Sequence, residues 1–429
     1  MPQFRVSIRG LRIVASSIFP VHAPLVEHFA SGAVESICTS YVAGPVADAI
    51  SPGKLRSVAV LQTHSGRVRA IDVAFIAAPT ADDYGNINDV DGPSACGTLG
   101  NAQVDAASAR RVVAITDNLV PYPARPADIT QELVDYVVTV PSIGNASQIE
   151  SGATRMTQDA VGQDIALTVP KALDAGRLIQ DGSSFQTGAG GVSLVVARYV
   201  REQMRERKVE GSFAAGGVTG SIVSMFEARL FRPIFDVQCF DLDAARSYRE
   251  NPRHQAMSAS LYANPCNRGP VVNRLDSMIL GAAEIDLDFN VNVSTRSDGS
   301  LLGGSGSHSD TAGGAKLALV TTKLKAGVHP KIVGKVTTAT TPGASIDVVV
   351  TEAGVAVNPE RPDLPDQFVT ASLSIVSIQR LFDLANDGAA PRARPMAGNN
   401  DDRRVLAAQQ YRDGSVIDIL RQVERLWTR

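Results

Sequence analysis

The sequence predicts an α/β protein built from mainly parallel sheets, and three observations carry that prediction. Short apolar runs bounded by Gly, Pro, Asn and Asp recur along the 429-residue chain, and many are too continuous for strands with one solvent face. Segments with helical periodicity lie between them, and such alternation indicates a parallel sheet covered on both faces. The length exceeds one ordinary hydrophobic core, which indicates two domains.

The expected elements follow from these patterns. Strands are predicted in RSVAVLQ, IDVAFIAA, RVVAIT, VDYVVTV, GVSLVVARYV, IDLDFNVNV, KLALVTT, IDVVVT and GVAVNP. Helices are predicted in HAPLVEHFASGAV, AQVDAASAR, VARYVREQMRERKV and SIQRLFDLAND. Residues 384–402 have the composition of a surface linker, and VLAAQQYRDGSVIDILRQV predicts a strand, an Asp-Gly hairpin turn, a second strand and a short helix.

The chain also repeats a short pattern. Ile-Asp, then Phe four places after the Ile and Gly fourteen places after it, occurs twice at one offset, and each copy continues into a Gly-rich segment and an apolar strand. This order favours a tandem duplication of related α/β domains. The matched residues are Ile71, Asp72, Phe75 and Gly85 in the first copy and Ile285, Asp286, Phe289 and Gly299 in the second. The predicted domains are residues 1–180 and 181–383, followed by a linker and tail at 384–429.

Composition excludes several classes of function. Hydrophobic residues make up 44% of the chain, charged residues 20%, and the mean hydropathy is +0.02, as in soluble globular proteins. Net charge is −3, basic residues are scattered and aromatic residues are 5%, so we expect no nucleic-acid partner. The N-terminus lacks a signal-peptide pattern, and no window approaches eighteen apolar residues. We therefore expect a cytoplasmic protein that does not span a membrane.

The cysteines indicate neither disulfides nor a metal site. They are far apart in the chain, with no CxxC pair and no His at metal-binding spacing. Four reduced thiols and no bound metal are therefore expected. The residues are Cys38, Cys96, Cys239 and Cys266.

Two Gly-rich segments predict backbone sites for an anion or cofactor. QTGAGG precedes an apolar run, so the amides of a helix start could face an anion. It does not match GxGxxG, which argues against a dinucleotide site. AAGGVTG could let a ligand approach the backbone closely. The alternative for both is a tight strand-to-helix turn without a ligand. The expected cofactor-binding residues are Gly188, Gly190, Gly191, Gly216, Gly217, Thr219 and Gly220.

The segment GGSGSHSDTAGGAK is the strongest candidate for a catalytic loop. It lies close between apolar strands and at a repeated position, which a linker would not do. Its glycines could direct amides at a developing oxyanion, and its His and Asp could titrate or donate nearby. The alternative is a structural histidine in a crowded loop. The expected catalytic residues are Gly304, Gly306, Ser307, His308 and Asp310, with Ser307 and His308 positioning the substrate rather than attacking it.

Other motifs are weaker. DYGNIN and GPSACGTLGNA, in the first copy, are expected mainly to pack. No P-loop occurs, and no GxSxG motif forms a nucleophile elbow after a strand. Basic residues near the Gly-rich loops, including Lys316, could bind an acidic substrate, although each could equally be a surface charge. We expect substrate contacts from Arg246, Arg253, Arg274, Asn290 and Asn292.

From about Leu11 to Val423 the sequence resembles the citrate lyase alpha-chain family. The segments that carry the resemblance are SGRVRAIDVAFIAAPTADDYGN, GNASQIESGATRM, FQTGAGGVSLVVAR, SFAAGGVTG, FDLDAARSYRENPRH, YANPCNRGPVVNRLD, EIDLDFNVNVSTRSDG, GSGSHSDTAGGAK, TTPGASIDVVVTEAGVAVNP and YRDGSVIDILRQV. The resemblance implies two tandem CoA-transferase-like domains of the NagB/RpiA type.

The resemblance also implies an activity and partners. An acetyl group on the CoA-like prosthetic arm of an acyl carrier protein is replaced by citryl, and acetate leaves. A separate beta chain then cleaves the citryl thioester to oxaloacetate and acetyl thioester. We therefore expect a citrate lyase hetero-oligomer with beta and acyl carrier (gamma) chains. No cofactor is expected to be tightly bound; the carrier's prosthetic group, CoA or acetyl-CoA, is a co-substrate.

Two departures from the family pattern matter. Many related CoA transferases carry a nucleophilic glutamate in a Ser-Glu-Asn-Gly turn, whereas AAGGVTG at the corresponding place has no carboxylate. We therefore expect a citrate carboxylate to attack the acetyl thioester directly and form a mixed anhydride. Family members also carry several tens of residues before the point that matches Leu11, including a His-rich stretch. Either the start of the reading frame was assigned too late, or the chain is a shortened variant whose first domain is incomplete and exposes apolar surface.

Two other functions remain open from the sequence. The chain could be a CoA or carrier transferase for another acid, such as malonate. It could also be a metabolite-sensing domain without activity. The absence of a helix-turn-helix pattern and of a basic face argues against a sensor that acts on DNA.

Overall fold

The structure is a computed structural model that describes residues 8–62, 70–150, 154–389 and 402–423. The strands are β1 (Leu11–Ile18), β2 (Val34–Val42), β3 (Ala59–Leu61), β4 (Ile71–Ala77), β5 (Thr80–Asp82), β6 (Ile87–Asn88), β7 (Ala109–Thr116), β8 (Leu119–Val120), β9 (Tyr136–Thr139), β10 (Phe185–Thr187), β11 (Ala214–Val218), β12 (Ile234–Cys239), β13 (His254–Ala256), β14 (Ser277–Gly281), β15 (Glu284–Asp286), β16 (Val291–Asn292), β17 (Leu317–Thr321), β18 (Lys325–Ala326), β19 (His329–Pro330), β20 (Ile332–Val333), β21 (Val348–Thr351), β22 (Gly354–Val357), β23 (Val405–Gln410) and β24 (Val416–Arg421).

The helices lie between these strands, as the sequence predicts for an α/β chain. The α-helices are α1 (Leu25–Ser31), α2 (Pro45–Ile50), α3 (Gly100–Ser108), α4 (Ala160–Ala175), α5 (Gly191–Arg207), α6 (Gly220–Glu227), α7 (Leu242–Glu250), α8 (Ala259–Ala263), α9 (His308–Ala312), α10 (Pro365–Thr370) and α11 (Ile378–Asn386). Short 3-10 helices cover Pro20–His22, Gln131–Leu133, Ala146–Glu150, Val271–Arg274 and Gly343–Ser345.

The largest sheet has eight strands in the order β13-β12-β11-β10-β14-β17-β21-β22. Every neighbouring pair is parallel except β21 and β22. Residues on one face of its central strands are fully buried under α4, α5 and α10. The predicted α/β class with mainly parallel sheets is confirmed.

A second, five-stranded sheet joins the first and last strands of the described residues, in the order β1-β2-β3-β23-β24. Strand β23 runs parallel to β3, with Ala407 opposite Ala59, and β24 returns antiparallel through the predicted Asp-Gly turn. The predicted tail strands therefore form and belong to the sheet that contains β1. The short helix predicted at the end of this segment is wrong: β24 continues to Arg421, and residues 422–423 are not helical.

Smaller sheets complete the fold. Strands β4, β7 and β9 form a parallel sheet, with α3 packed on one face. Beside it, β5 pairs antiparallel with β6 and parallel with β8. In the same way, β15 pairs antiparallel with β16 and parallel with β20. Strands β18 and β19 form a two-stranded antiparallel sheet. Helix α4 lies within the predicted first domain, residues 1–180, yet it packs against the eight-stranded sheet.

One predicted strand is wrong. The run GVSLVVARYV forms the first half of helix α5 rather than a strand. Seven residues of this helix are buried, among them Leu194, Val195 and Val196. A helix buried this deeply carries a continuous apolar run, which periodicity cannot distinguish from a buried strand.

The predicted alignment of the repeat is also wrong, although the chain does contain matched hairpins. Ile71 and Asp72 lie in the single strand β4, whereas Ile285 and Asp286 lie in the short hairpin β15–β16. The structural counterpart of Asp286 is Asp82, at the end of β5. The expected offset of 214 residues is ten residues longer than the 204 that separate the two carboxylates at matching turns, Asp82 and Asp286.

The two hairpins have the same pattern of hydrogen bonds. Asp82 accepts from the backbone amides of Tyr84, Gly85 and Asn86, at 2.9 to 3.0 Å, and from the Asn86 side chain at 2.8 Å. Asp286 accepts from the amides of Asp288 and Asn290, at 3.1 and 2.9 Å, and from the Asn290 side chain at 3.2 Å. At each tight turn the carboxylate accepts hydrogen bonds from backbone amides that have no partner on a neighbouring strand.

None of the helices within the described ranges is both long enough and apolar enough to cross a membrane.

Candidate functional site

The eight-stranded sheet has a switch point between β10 and β14. From β10 the chain proceeds outward through β11, β12 and β13, and from β14 it proceeds in the other direction through β17 and β21. The Gly188 amide donates to the Ile279 carbonyl at 3.0 Å where these two strands end. In open α/β sheets, ligands bind in the crevice at the carboxyl ends of the strands at such a point.

The QTGAGG segment lies at this switch point. Helix α5 begins at Gly191, with Gly190 as its N-cap, and runs for 17 residues. Gly190 is exposed, and Gly188 and Gly191 are partly exposed. The first amides of a helix lack partners within the helix, and its dipole favours negative charge there. This turn is therefore an accessible place for an anionic group.

The AAGGVTG segment forms β11 and the turn into α6. A Cβ on Gly216, whose φ is +110°, would collide with the Gln186 side chain, and one on Gly217 would collide with the Phe240 ring. The Gly220 amide donates to Asp241 at 2.7 Å. Close packing therefore explains why Gly216 and Gly217 carry no side chain. Thr219 is buried, and its hydroxyl has no hydrogen-bond partner among the described residues.

The glycines of residues 303–308, which we call the 303–308 loop, pack against strand β2. A Cβ on Gly304 would collide with the Ser40 carbonyl oxygen. The Gly306 amide donates to that same oxygen at 3.0 Å, and the Gly303 amide donates to Ser294 at 3.2 Å. Two amides of the expected oxyanion site are therefore engaged within the protein.

His308 opens helix α9 and is 8% exposed. Its Nδ1 lies 2.7 Å from Thr341 Oγ1, and its Nε2 lies 3.0 Å from the Gly281 carbonyl oxygen. Burial lowers the pKa of His308 to about 4, so the ring is neutral at physiological pH. Both nitrogens are engaged, which favours a positioning role over proton transfer.

A buried polar cluster beneath the 303–308 loop was not anticipated from the sequence. Gln186 Nε2 donates to the Tyr262 hydroxyl, and Ser307 also hydrogen-bonds that hydroxyl. Asp310 is fully buried and close enough to raise the Tyr262 pKa, to which burial contributes most. Gln186 Oε1 has no hydrogen-bond partner among the described residues. The glutamine stands two positions before Gly188 in QTGAGG, which was its one sequence signal.

The structure does not bring the expected substrate-binding residues to the switch point. Asn290 and Asn292 use their side chains inside the Asp286 hairpin. Arg253 stacks on the Phe226 ring, with its guanidinium 5.2 Å from the ring centroid. Arg246 forms ion pairs around α7. Lys316 binds Asp276 at 2.5 Å, and Arg274 ends a short 3-10 helix.

One group of side chains could hold a metal ion, although the sequence spacing did not reveal it. Single ligand atoms of Asp236, Cys239 and His254 lie within 4.8 Å of one another, and all three residues are buried. They also form hydrogen bonds, since Asp236 Oδ2 lies 3.0 Å from Cys239 Sγ and 3.1 Å from His254 Nε2. His254 Nδ1 lies 3.0 Å from Ser247 Oγ, so this group is satisfied as a hydrogen-bonded cluster. None of the four cysteines, all of which lie in the described residues, forms a disulfide.

Comparison with known proteins identifies relatives along nearly the whole chain. A family model described as the alpha subunit of citrate lyase (CitF) matches residues 4–423. The citrate lyase alpha chains of Escherichia coli (strain K12) and Klebsiella pneumoniae are each 42% identical to this chain, over 431 and 426 residues. Both matches cover 98% of this chain and 83% of the relative.

Comparison with solved structures leads to the same family. A crystal structure of a citrate lyase alpha subunit from Streptococcus mutans in complex with citrate has a TM-score of 0.92 and 42% identity, covering 96% of this chain and 82% of that one. The alpha subunit of a malonate decarboxylase from Acinetobacter baumannii has a TM-score of 0.64 and 14% identity, covering 88% and 79%, which shows a shared fold alone. The chain therefore belongs to the citrate lyase alpha-subunit family.

Proposed function

We propose that this chain is the transferase of a citrate lyase, exchanging the acetyl group of an acyl carrier thioester for citryl and releasing acetate. The observation that carries the proposal is the match to citrate lyase alpha subunits along nearly the whole chain, including one solved with citrate. A beta chain and an acyl carrier chain would complete the complex, and the CoA-like arm of the carrier would be the co-substrate.

The geometry of the switch point supports an acyl transfer. Gly188, Gly190 and Gly191 form an accessible turn at the start of α5. The Gly188 amide donates to Ile279, so the amides of Gly190 and Gly191 are the ones that can stabilise negative charge developing on a thioester carbonyl. The 303–308 loop contributes indirectly, because Gly306 and His308 fix it against β2 and β14. Oxyanion stabilisation at α5, with positioning by Ser307, His308 and Asp310, is the arrangement we propose.

We infer that the transfer proceeds through a mixed anhydride. Residues 214–220 contain no carboxylate, and the nearby Asp241 caps helix α7 and binds the Gly220 amide, so a covalent enzyme thioester lacks its nucleophile there. A citrate carboxylate oxygen bonds to the acetyl carbon and the carrier thiolate leaves. The thiolate then attacks the citryl carbonyl of the anhydride, and acetate leaves.

We also propose that the chain consists of two tandem domains of the CoA-transferase type. The matched Asp82 and Asp286 hairpins support this, as does the parallel strand that follows each of them, β7 and β17.

Acetate release tests the activity. The purified chain is given acetyl-CoA or acetyl-carrier protein with citrate, and acetate is measured enzymatically. We expect release with citrate and little with malonate or acetoacetate. Preferential release with malonate would instead support a transferase for that acid. Binding of citrate and dephospho-CoA without any turnover would support a sensor.

Trapping tests the anhydride. Hydroxylamine or borohydride is added during turnover, and the protein is digested and analysed by mass spectrometry. We expect no modified glutamate, because the acyl group passes between substrate and carrier. A stable adduct on a Glu side chain would contradict the mixed anhydride while leaving the transferase function intact.

A further inference from the structure

Asp236, Cys239 and His254 form a buried group at the edge of the eight-stranded sheet, which we call the β12–β13 cluster. Asp236 and Cys239 lie on β12, and His254 begins the neighbouring edge strand β13. The two strands run parallel. The side chains of Asp236 and His254 are fully buried, and Cys239 is 3% exposed. The proposed acyl transfer uses none of these three residues.

A β-bulge brings the carboxylate and the thiol of the cluster to the same side of β12. Residues three apart on a regular strand point to opposite faces. Here the pairing is irregular, because Asp236 and Gln238, two positions apart, lie opposite consecutive residues of β11. Strand β12 therefore carries one extra residue, and such a bulge changes the direction of the side chains that follow it. The Cys239 thiol consequently faces the carboxylate.

The three side chains supply the donor atoms that zinc prefers, since Zn²⁺ is bound in proteins by thiolate, imidazole and carboxylate. Asp236 Oδ2 lies 3.0 Å from Cys239 Sγ and 3.1 Å from His254 Nε2. All three ligand atoms lie within 4.8 Å of one another. Bonds of about 2.0 to 2.3 Å in a tetrahedral site place neighbouring ligand atoms about 3.3 to 3.6 Å apart. Small shifts of the side chains would therefore seat an ion at the centre of the cluster.

Groups around the cluster hold two of its members in the orientation that a metal ion needs. Ser247 Oγ lies 3.0 Å from His254 Nδ1, so this nitrogen can donate to an oxygen while Nε2 faces the cluster. Metal-bound histidines almost always make such a contact. The Thr98 amide, in the loop that follows β6, donates to Cys239 Sγ, and a hydrogen bond of this kind favours the thiolate.

The same threonine offers a fourth position. Thr98 Oγ1 is buried and has no hydrogen-bond partner among the described residues. A buried hydroxyl without a partner costs free energy. Because the Thr98 amide contacts Cys239 Sγ, this hydroxyl belongs to the wall of the cluster. A water that binds the ion and donates to Thr98 Oγ1 would complete four-coordination and satisfy the hydroxyl.

We propose that the β12–β13 cluster is a structural Zn²⁺ site, with Asp236 Oδ2, Cys239 Sγ and His254 Nε2 as its protein ligands. Three protein ligands and a water also occur in catalytic zinc sites, but no substrate reaches side chains that are fully buried. The ion would connect the loop that follows β6 to strands β12 and β13. The inference goes beyond the transferase function and does not depend on it.

The exchange of protons for zinc balances in charge. The S–H bond of Cys239 breaks, its proton goes to solvent, and a bond from Sγ to zinc forms. His254 stays neutral with its proton on Nδ1, where Ser247 Oγ accepts it. The thiolate and the Asp236 carboxylate together cancel the charge of the ion, so the site avoids the cost of an unpaired buried charge. Without zinc the same atoms hydrogen-bond to one another, so the metal-free chain can also fold.

Metal analysis of the full chain tests the proposal. The chain is produced in zinc-supplemented medium, purified without chelator and measured by inductively coupled plasma mass spectrometry. We expect about one zinc ion per chain. Cys239→Ser should lower the zinc content at least about tenfold. This variant keeps the size of the side chain and its hydrogen bond to Asp236, so it should fold with or without metal. Cys266→Ser, which removes an exposed thiol outside the cluster, is the matched control and should retain the zinc.

Cobalt provides a second readout, because the site is buried and has to be loaded as the chain folds. Refolding the denatured chain with Co²⁺ should give the charge-transfer absorption of a cobalt–thiolate bond, and Cys239→Ser should lack it. A chain without zinc that also gives no such absorption would show that the cluster is a hydrogen-bonded network alone, and the proposal would be wrong. Zinc that persists in Cys239→Ser, or is lost in Cys266→Ser, would place the metal elsewhere and would equally overturn it.

Discussion

The sheet of β4, β7 and β9 and the centre of the eight-stranded sheet follow the same hairpin pattern but differ in what covers them. When the Asp82 and Asp286 hairpins are aligned, an offset of 204 residues, Phe75 on β4 falls at the position of Ile279 on β14. Ile279 is fully buried beneath α4 and α5, whereas Phe75 is 71% exposed. Tyr136, in the same row as Phe75 across β7, is 59% exposed. One apolar sheet face thus supports a core and the other meets solvent.

The difference shows that an apolar strand does not by itself make a core. Burial of a side chain stabilises a fold only where another layer removes water from it. Helices α4, α5 and α10 supply that layer for the eight-stranded sheet, while α3 covers only the opposite face of β4 and β7. An exposed apolar surface of this kind is a place for further contacts or for aggregation.

The hairpin carboxylates provide the largest expected effect and test the corrected alignment. Asp82→Ala and Asp286→Ala should each destabilise the protein by about 4 kcal/mol, because each leaves several buried amides without an acceptor. Asp72→Ala, whose side chain is 89% exposed, should change stability by less than about 0.5 kcal/mol. Urea unfolding followed by far-UV circular dichroism measures all three. A cost for Asp72→Ala equal to that for Asp286→Ala would restore the original alignment.

The next largest expected change in stability is at Ile279, which is compared with Phe75. Ile279→Ala should cost about 3 kcal/mol because it creates a cavity in the covered face. Phe75→Ala should leave the unfolding midpoint within about 0.5 kcal/mol of the unaltered protein and should reduce the fluorescence of bound anilinonaphthalene sulfonate. An equal loss of stability in the two variants would mean that the β4 face is covered in solution.

The pH dependence of stability should differ between His308, at the end of the 303–308 loop, and Asp89, in the loop that follows β6. His308 has a folded pKa of about 4, below its usual 6.5. Its contribution to the free energy of unfolding is therefore complete above pH 6.5 and is lost as pH falls toward 4. Asp89 has a folded pKa of about 7, above its usual 3.8, so stability is greatest below about pH 4 and falls as pH rises to 7. Each change is of the order of 3 kcal/mol.

Unfolding midpoints measured from pH 4 to 8 check this. His308→Gln should remove the loss of stability that occurs as pH falls from 6.5 to 4. Asp89→Asn should remove the change of opposite sign, the loss of stability as pH rises from 4 to 7. Profiles of both variants that run parallel to that of the unaltered protein would show that neither group titrates as its burial requires.

The smallest effect concerns the contact of the 303–308 loop with β2. Gly304→Ala places a methyl group against the Ser40 carbonyl and should cost about 2 kcal/mol through overpacking. Gly269→Ala, with no atom within 4 Å of the new methyl, is the control and should be neutral. Differential scanning calorimetry compares their melting temperatures. Tolerance of Gly304→Ala would show that the loop can move away from β2.

Particular residues show how far sequence reasoning reaches. The α/β class and the strand pair around the Asp-Gly turn at Asp413 follow from local chemistry, so they could be predicted. The exposure of Phe75 could not, because it depends on elements distant in the chain. Nor could the partners of the Gly306 amide or the His308 ring, since Ser40 and Thr341 reach them only through the folded sheets.

The pairing of β23 with β3 has a consequence for how the protein is made. Gln409 donates to the carbonyl of Leu61, a residue 348 positions earlier. During synthesis the β1–β3 sheet therefore waits with an open edge while the whole eight-stranded sheet emerges from the ribosome. Contacts of such long sequence separation also slow folding. Strands β23 and β24, the last of the described strands to be synthesised, complete the sheet that contains β1.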